Sequence, residues 1–438
     1  MVERQPTSIP APAVSPVAAY DEQYQAVHFL TRLGTAMAVA GASVTMIRAS
    51  LEAAAQAYRL GSQITVLPTM LLIKLEGRES VTFDVASAMN RSLRLDQIAG
   101  IWRLAEQAEA GRVSPSAGLA QLDEIWSSEP RFSRPVGLLG YVLMAAGFGL
   151  ILNPTGGQLL ACMALGLLVG QLIAFTRGHP TLSILLPVMA SLTVGLLVFL
   201  AVREEYISGP LLLLIPPLVM LLPGAMLTTG MLELAAGDIL SGSSRLVAGA
   251  TQLILLLFGL VVAAAAIGLP SAEAFAKEGG TAFEPWGAWA GVLLFGIGVY
   301  LHLSAPARSL PWLLLILAVA WLGQQAGGVL LGGYLSGFAG AMVMTPVAYA
   351  IQRWRSAPPA MVSILPAYWM LVPGALGLIE LTEIVGENRQ ATLADSGTMV
   401  FTLVAIALGV TVGQALRGPL AQWTALLLKL VRVRRPGA

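Results

Sequence analysis

The sequence predicts a mainly α-helical membrane protein with ten transmembrane helices, arranged as two inverted five-helix repeats and preceded by a small cytoplasmic α+β domain. Three observations predict this fold class. Of the 438 residues, 56% are hydrophobic and 11% are charged, and the mean hydropathy is +0.76. Roughly half of the charged residues lie before Val136, and two similar Pro-Gly segments lie 150 residues apart in the remainder. A soluble multidomain protein is therefore excluded.

The residues before the first apolar segment divide into a tail and a folded region. Residues 1–21 are rich in Pro, Ala and Ser and are expected to form a disordered cytoplasmic tail. Residues 22–130 are expected to form the cytoplasmic domain, because apolar residues at helical spacing flank short β-branched or leucine-rich runs. Two helices, three strands and two helices are predicted at 23–40, 42–60, 63–67, 70–75, 80–85, 95–110 and 117–126.

Ten apolar segments follow Pro135, and a helix of about 20 residues is enough to cross a bilayer. They are 136–152, 159–175, 181–202, 210–232, 246–269, 286–305, 309–324, 326–352, 361–381 and 397–416. The first repeat is residues 136–269 and the second is 286–417, with the boundary between the seventh and eighth spans near Gln324.

Basic residues in the short loops predict the orientation of these spans. One side carries Arg177, Arg245, Arg308, Arg353 and Arg355, whereas the other carries Arg203, Lys277 and Arg389. The side with more basic residues is expected to be cytoplasmic. Both termini, including a basic tail at 418–438, would then lie inside the cell.

The fourth and ninth spans contain the clearest internal similarity in the chain. Pro216, Pro223 and Gly224 of the fourth recur 150 residues later as Pro366, Pro373 and Gly374. Each half contains an odd number of spans, so the halves would face opposite ways, as in many secondary transporters. Pro lacks an N–H and Gly permits unusual dihedral angles, so a helix break is predicted at each Pro-Gly pair. The freed peptide groups would bind substrate; the alternative is that each Pro only kinks a packed helix.

Four acidic residues follow these spans closely enough to take part in transport. They are Glu233 and Asp238 after the first Pro-Gly pair, and Glu380 and Glu383 after the second. Ionisable groups in a membrane often serve transport, so each is a candidate for proton exchange or for binding a substrate ammonium. The alternative is a solvated acid at a helix end. Arg245, which opens the fifth span, is a candidate for binding a carboxylate, but an ordinary cytoplasmic anchor is the favoured interpretation.

Other chemistries are not indicated. The sequence has no glycine-rich phosphate loop followed by Lys, no Gly-x-Ser-x-Gly elbow and no His-Glu-x-x-His pair, so no catalytic residue, cofactor or metal is predicted. The single cysteine, Cys162, is expected to pack in an apolar helix. A net charge of +1 does not indicate nucleic-acid binding. The expected partners are a small-molecule substrate and the lipid bilayer, and the sequence leaves a homo-oligomer open.

Motifs in both regions resemble the threonine/serine exporter family. They are Gly41-Ala42-Ser43, Tyr58-Arg59-Leu60-Gly61, Leu67-Pro68-Thr69, Ala146-Gly147-Phe148, Leu222-Pro223-Gly224, Gly237-Asp238-Ile239 and Leu371-Val372-Pro373-Gly374. The resemblance runs from about His28 to Arg417. It implies a ten-span exporter of threonine and serine in a bacterial-type plasma membrane, driven by the proton gradient, with the soluble domain inside the cell. One departure from the family pattern is that Arg48 is followed by no acid until Glu52.

Two alternatives to threonine or serine export follow from the same sequence. Relatives whose halves are separate chains are associated with dicarboxylates, so a succinate-like cargo would keep the transporter class and change the substrate. In the other alternative, the soluble domain is a hydrolase tethered to a passive membrane anchor. Ten spans are far more than an anchor requires.

Overall fold

The computed structural model describes residues 16–67, 70–75, 81–85, 93–207, 209–269, 283–354, 356–371, 378 and 397–416. The N-terminal elements are α1 (Pro16–Val39), α2 (Val44–Ala57), β1 (Ser62–Val66), β2 (Met70–Leu75), β3 (Val81–Val85), α3 (Leu95–Glu109) and α4 (Pro115–Ser127). The apolar helices are α5 (Arg134–Ile151), α6 (Gly156–Thr176), α7 (Pro180–Arg203), α8 (Leu211–Leu214), α9 (Gly224–Ala235), α10 (Ile239–Ile267), α11 (Gly287–His302), α12 (Leu310–Leu331), α13 (Ser336–Ile351), α14 (Ala360–Met370) and α15 (Gly397–Ala415).

The chain forms two compact units. The first consists of Met1–Ala42, Met46–Arg91 and Ile101–Ser127. The second consists of Ser43–Thr45, Ser92–Gly100 and Ser128–Ala438. The first two residues of α2, Val44 and Thr45, and the start of α3 therefore belong to the second unit.

The first unit is built around the apolar face of α1. Phe29 and Leu33, four residues apart on one helix face, are fully buried. Leu51 of α2 and Leu71 of β2 both approach α1 at Gly34, where a larger side chain would collide with them. The sheet is antiparallel in the order β1-β2-β3, with Ser62 opposite Leu75 and Met70 opposite Val85.

Helix α1 begins at Pro16, seven residues before its predicted start at Gln23. Residues 16–21, which were expected to belong to the disordered tail, are therefore helical. Pro is favoured in the first helical turn because its φ is already helical and the N–H it lacks would have no helical partner there. The composition of the tail obscured this start signal. Residues 1–15 and the predicted basic tail at 418–438 lie outside the described residues.

In the second unit, α5 and α11 pack backbone against backbone. A Cβ added at Gly147 would lie 2.6 Å from the carbonyl oxygen of Gly291, and one at Gly291 would lie 2.7 Å from that of Gly147. Gly140 and Gly298 approach each other in the same reciprocal way, at 2.8 and 2.6 Å. The earlier glycine of α5 faces the later glycine of α11, so these two helices run antiparallel. Helices pack this closely only where small residues face each other.

The third helix of each predicted repeat packs on the fifth. Gly259 of α10 lies against α7, where an added Cβ would be 2.7 Å from the carbonyl oxygen of Val188. Gly409 of α15 lies against α13, where an added Cβ would collide with the carbonyl oxygen of Phe338. Both residues of the second contact follow those of the first by 150 positions.

Among the described residues, five helices are long and apolar enough to cross a membrane: α5, α6, α7, α10 and α12. Four shorter apolar helices lie within α11, α13, α14 and α15. The predicted boundary near Gln324 is wrong, because α12 continues through this residue to Leu331. Glutamine is a good helix former, whereas Gly332 adopts a φ of +87° that ends the helix. Correcting this boundary lengthens the seventh apolar helix to 22 residues.

Candidate functional site

The fourth predicted span is interrupted. Helix α8 stops at Leu214, a 3-10 helix covers Pro216–Leu221, and Leu222 is extended with ψ of 127° before α9 starts at Gly224. Pro216 and Pro217 supply no N–H groups, so the α-helical hydrogen-bond ladder cannot pass through them. The N-cap residue of α9 is Pro223, whose ring has no group that can cap the first amides.

Side chains from two neighbouring helices satisfy carbonyl groups at this break. The Tyr141 hydroxyl of α5 donates to the carbonyl oxygen of Pro217 at 2.8 Å. The Gln252 amide of α10 donates to the carbonyl oxygen of Leu221 at 2.5 Å. Sequence reasoning missed both donors, since nothing in the pattern links them to the break. These two carbonyl groups already have protein partners, which narrows the predicted set of substrate-binding peptide groups.

The corresponding part of the ninth span differs from the fourth. Pro366 is buried inside α14, which remains helical from Ala360 to Met370. At the position equivalent to Pro217 this span has Ala367, so one backbone donor is missing instead of two. A single Pro removes one hydrogen bond from a helix, and the flanking turns can continue. The predicted second break at Pro373 and Gly374 lies outside the described residues, as do Glu380 and Glu383.

Glu233 is fully buried near the end of α9 and has two partners. Its Oε2 lies 3.0 Å from Arg245 Nε, and its Oε1 accepts a hydrogen bond of 2.9 Å from the backbone N–H of Val44. The Val44 amide begins α2, so the carboxylate also meets the positive end of a helix dipole. The alternative of a solvated acid is wrong for Glu233. The Arg245 side chain is only 17% exposed and its partner is the Glu233 carboxylate, as in the carboxylate-binding alternative.

Close packing of α9 on α10 brings the ion pair together. A Cβ at Gly242 would lie 2.7 Å from the carbonyl oxygen of Gly230, so these helices touch through their backbones. The turn between them uses Gly237 at a φ of +87°. Glu233 follows Gly230 by three residues, and Arg245 follows Gly242 by three, so the two side chains project from the same side of the contact. Sequence distance alone did not reveal this pairing.

Asp238, the other acid described after the first break, has a different position. It occupies the N-cap position of α10 and is half-buried. A carboxylate at the start of a helix interacts favourably with the helix dipole, which is an ordinary structural role. The structure thus separates the two acids: Glu233 is enclosed by partners, and Asp238 begins the following helix.

Two buried hydroxyl groups near these segments have no hydrogen-bond partner among the described residues. They belong to Thr228 of α9, which is 0% exposed, and Ser363 of α14, which is 1% exposed. An unpaired buried hydroxyl costs about 1–3 kcal/mol, so natural proteins keep few of them. Sequence reasoning did not single these residues out, because Thr and Ser are common in apolar helices.

The remaining polar candidates have structural partners. His302 Nδ1 lies 2.9 Å from the carbonyl oxygen of Gly137, and its ring packs edge-on against Tyr141 at 5.0 Å. Cys162 is buried beside Gly149. Within the described ranges, no group of three His, Cys, Asp or Glu residues could hold a metal ion.

Comparison with known protein families gives one match. The model of ThrE, the threonine/serine exporter family, matches residues 28–267, which is more than half of the chain. The matched region begins in α1 and ends with α10, so it includes the interrupted span and the Glu233–Arg245 pair. Comparisons with curated proteins and with solved structures find no match.

Proposed function

Because the chain belongs to the ThrE threonine/serine exporter family, we propose that it carries threonine or serine out of the cell across the plasma membrane. The family is one of membrane transporters, and the long apolar helices agree with that assignment. The single observation that carries the proposal is the family match across the interrupted span.

The proposed arrangement is ten spans in two inverted repeats. Contacts in the second unit support it, since Gly259 on Val188 and Gly409 on Phe338 are equivalent contacts 150 residues apart. The same two helix pairs have a second set of equivalent contacts. Gly195 lies against Ala263 in the first pair, and Thr345 lies against Gly413 in the second, again 150 residues apart. The antiparallel approach of α5 and α11 is what a two-fold axis in the membrane plane would produce.

The proposed binding frame consists of the Pro-Gly segments of the fourth and ninth spans. Its members are Pro216, Pro223, Gly224, Pro366, Pro373 and Gly374. Interruption of the fourth span and the uncapped start of α9 support this frame, because backbone groups at membrane depth persist only beside protein, water or substrate. Alternating access would expose the frame first to the cytoplasm and then to the outside.

We further propose that a proton gradient drives export, with Glu233 as the first candidate for the coupling group and Asp238, Glu380 and Glu383 as the others. Glu233 is a buried carboxylate whose charge is balanced by Arg245 and one backbone amide. If Arg245 moves away during transport, the carboxylate must gain a proton or the substrate ammonium to stay buried.

The proposed orientation places both termini in the cytoplasm. Aromatic residues near helix ends support two membrane interfaces, where Trp is enriched. Trp312 and Trp354 stack edge-to-face at 4.9 Å beside the arginine-rich loops. At the opposite end of α11, Trp286 and Trp289 are each about half exposed.

The experiment is efflux from proteoliposomes that contain the full-length protein. Vesicles loaded with labelled threonine, serine or succinate are compared with and without an imposed pH gradient. Faster loss of threonine and serine when the gradient is imposed is the expected result. Loss of succinate alone would replace the proposal with dicarboxylate export, and loss of threonine independent of the gradient would remove proton coupling.

A variant of the break tests the binding frame in the same vesicles. Pro223→Ala restores an N–H and favours a continuous helix, so threonine efflux is expected to fall strongly. Pro187→Ala is the matched control, because Pro187 lies inside the unbroken helix α7. Unchanged efflux by Pro223→Ala would remove the break from the mechanism.

A further inference from the structure

The hydroxyl groups of Thr228 and Ser363 lack the hydrogen bond that four threonine hydroxyls in the apolar helices make. Thr193, Thr251, Thr345 and Thr411 each donate to the carbonyl oxygen four residues earlier, at 2.7–2.9 Å. This local bond is the usual way for a hydroxyl in an apolar helix to be satisfied. Thr228 and Ser363 are buried and have no partner among the residues described by the structure.

The two hydroxyls lie on helices that pack against each other. Thr228 is in the second turn of α9, directly after the break, and Ser363 is in the first turn of α14. Helices α9 and α14 are in contact. In the proposed orientation, both residues lie between the break and the cytoplasmic surface, on the side from which an exported substrate enters.

The sequence neighbours of both residues are apolar: Leu227 precedes Thr228, and Val362 and Ile364 flank Ser363, all of them buried. The carbonyl groups of Pro217 and Leu221 at the break are already bound by Tyr141 and Gln252. Two buried, unpaired hydroxyls on contacting helices therefore fit a ligand that brings its own small polar group.

We propose that Thr228 and Ser363 bind the side-chain hydroxyl of the transported amino acid and thereby select hydroxyl-bearing substrates. This inference rests on the proposed export of threonine or serine. A hydroxyl group both donates and accepts, so one substrate hydroxyl can bond to two protein hydroxyls at once. An amino acid without this group leaves both protein hydroxyls unpaired, and sites built in this way discriminate strongly.

The test compares threonine with L-2-aminobutyrate, which is threonine without its hydroxyl. Proteoliposomes containing the full-length chain are loaded with both compounds, each labelled, and the two efflux rates are measured together. The wild type is expected to prefer threonine by about tenfold or more, which corresponds to about 1.4 kcal/mol per tenfold. Thr228→Val and Ser363→Ala are each expected to reduce this preference by about tenfold, through slower threonine efflux.

Two further variants separate a lost hydroxyl from a disturbed fold. Thr228→Ser keeps the hydroxyl and is expected to keep the preference. Thr345→Val removes a buried hydroxyl that is already bonded to the carbonyl oxygen of Ala341, so it is expected to leave the preference unchanged. Should Thr228→Val fail to fold, Ser363→Ala, which only shortens a side chain, still decides the matter.

The outcomes distinguish this inference from the function on which it rests. If the wild type exports neither threonine nor serine, the proposed function fails. If it exports threonine and both hydroxyl-free variants keep the wild-type preference, only the inference is overturned. Equal wild-type efflux of threonine and L-2-aminobutyrate would overturn the inference in the same way.

Discussion

Replacing Glu233 by Gln tests whether its ion pair with Arg245 holds α9 against α10. The pair is 3.0 Å apart, with Glu233 fully buried and Arg245 largely so. With about 4 Å between charge centres and an effective dielectric constant of about 20, the attraction is about 4 kcal/mol. Removing the carboxylate breaks the ion pair of a mostly buried arginine, and breaking a buried ion pair destabilises a protein by about 3–5 kcal/mol.

The assay is the thermal unfolding midpoint of the purified full-length protein in a single detergent. At roughly 2 °C per kcal/mol for a folding unit of this size, Glu233→Gln is expected to lower the midpoint by about 6–10 °C. The double variant Glu233→Gln/Arg245→Gln is expected to recover part of this loss, because it also removes the arginine charge that the Glu233 carboxylate balances. Asp123→Asn is the control: it removes an exposed 2.8 Å pair with Arg32 and should lower the midpoint by about 2 °C or less.

Two results would refute this reasoning. An unchanged midpoint for Glu233→Gln would show that the pair does not stabilise the α9–α10 contact. A double variant whose loss equals the sum of the two single losses would show that the two side chains act independently.

Three further predictions use the same chain. Gly147→Ala is expected to destabilise the protein by about 1–3 kcal/mol through collision with α11, whereas Gly137→Ala, where an added Cβ meets nothing within 4 Å, should not destabilise it; unfolding midpoints test both. Tyr141→Phe leaves the Pro217 carbonyl unpaired and should cost about 1–3 kcal/mol by the same measurement, whereas Tyr206→Phe, 82% exposed, should cost almost nothing. Although Glu106 is exposed, partial desolvation and then the neighbouring Glu109 raise the pKa of its carboxyl, so this group favours folding below its ordinary pKa and loses that contribution as pH rises through the raised value. Glu106→Gln should therefore slow hydrogen exchange of α3 at about pH 7 and have no such effect at about pH 4. Equal effects at both pH values would contradict a raised pKa of Glu106 in the folded protein.

Much of the helical pattern was accessible from the sequence because apolar length and periodicity are local properties. The third apolar helix, for example, was predicted at 181–202 and lies at Pro180–Arg203. Boundaries were less accessible where two signals competed. The predicted boundary near Gln324 is an example: glutamine suits a helix, and the turn occurs at Gly332 instead.

The candidate site was accessible only in outline. The Pro223-Gly224 pair predicts an interruption of the fourth span, since Pro removes a backbone donor and Gly permits unusual dihedral angles. Tyr141 and Gln252 lie 76 and 31 residues from the carbonyl groups they bind, and such pairings depend on how the helices pack. Thr228 and Ser363 are distinguished only because their hydroxyl groups have no hydrogen-bond partner among the described residues. A sequence pattern does not reveal this property.

The difference between Pro216-Pro217 of the fourth span and Pro366-Ala367 of the ninth has a consequence for a carrier that works as proposed. Pro216-Pro217 forces a 3-10 segment, and Pro366-Ala367 leaves an α-helix. In alternating access the two halves exchange conformations. Because the halves differ in structure, the inward-open and outward-open states of this carrier would then differ in free energy. Without cargo, the carrier would populate one of these two states more than the other. Its apparent affinity for cargo would therefore differ between the two faces of the membrane. The direction of net movement would still be set by the gradients alone.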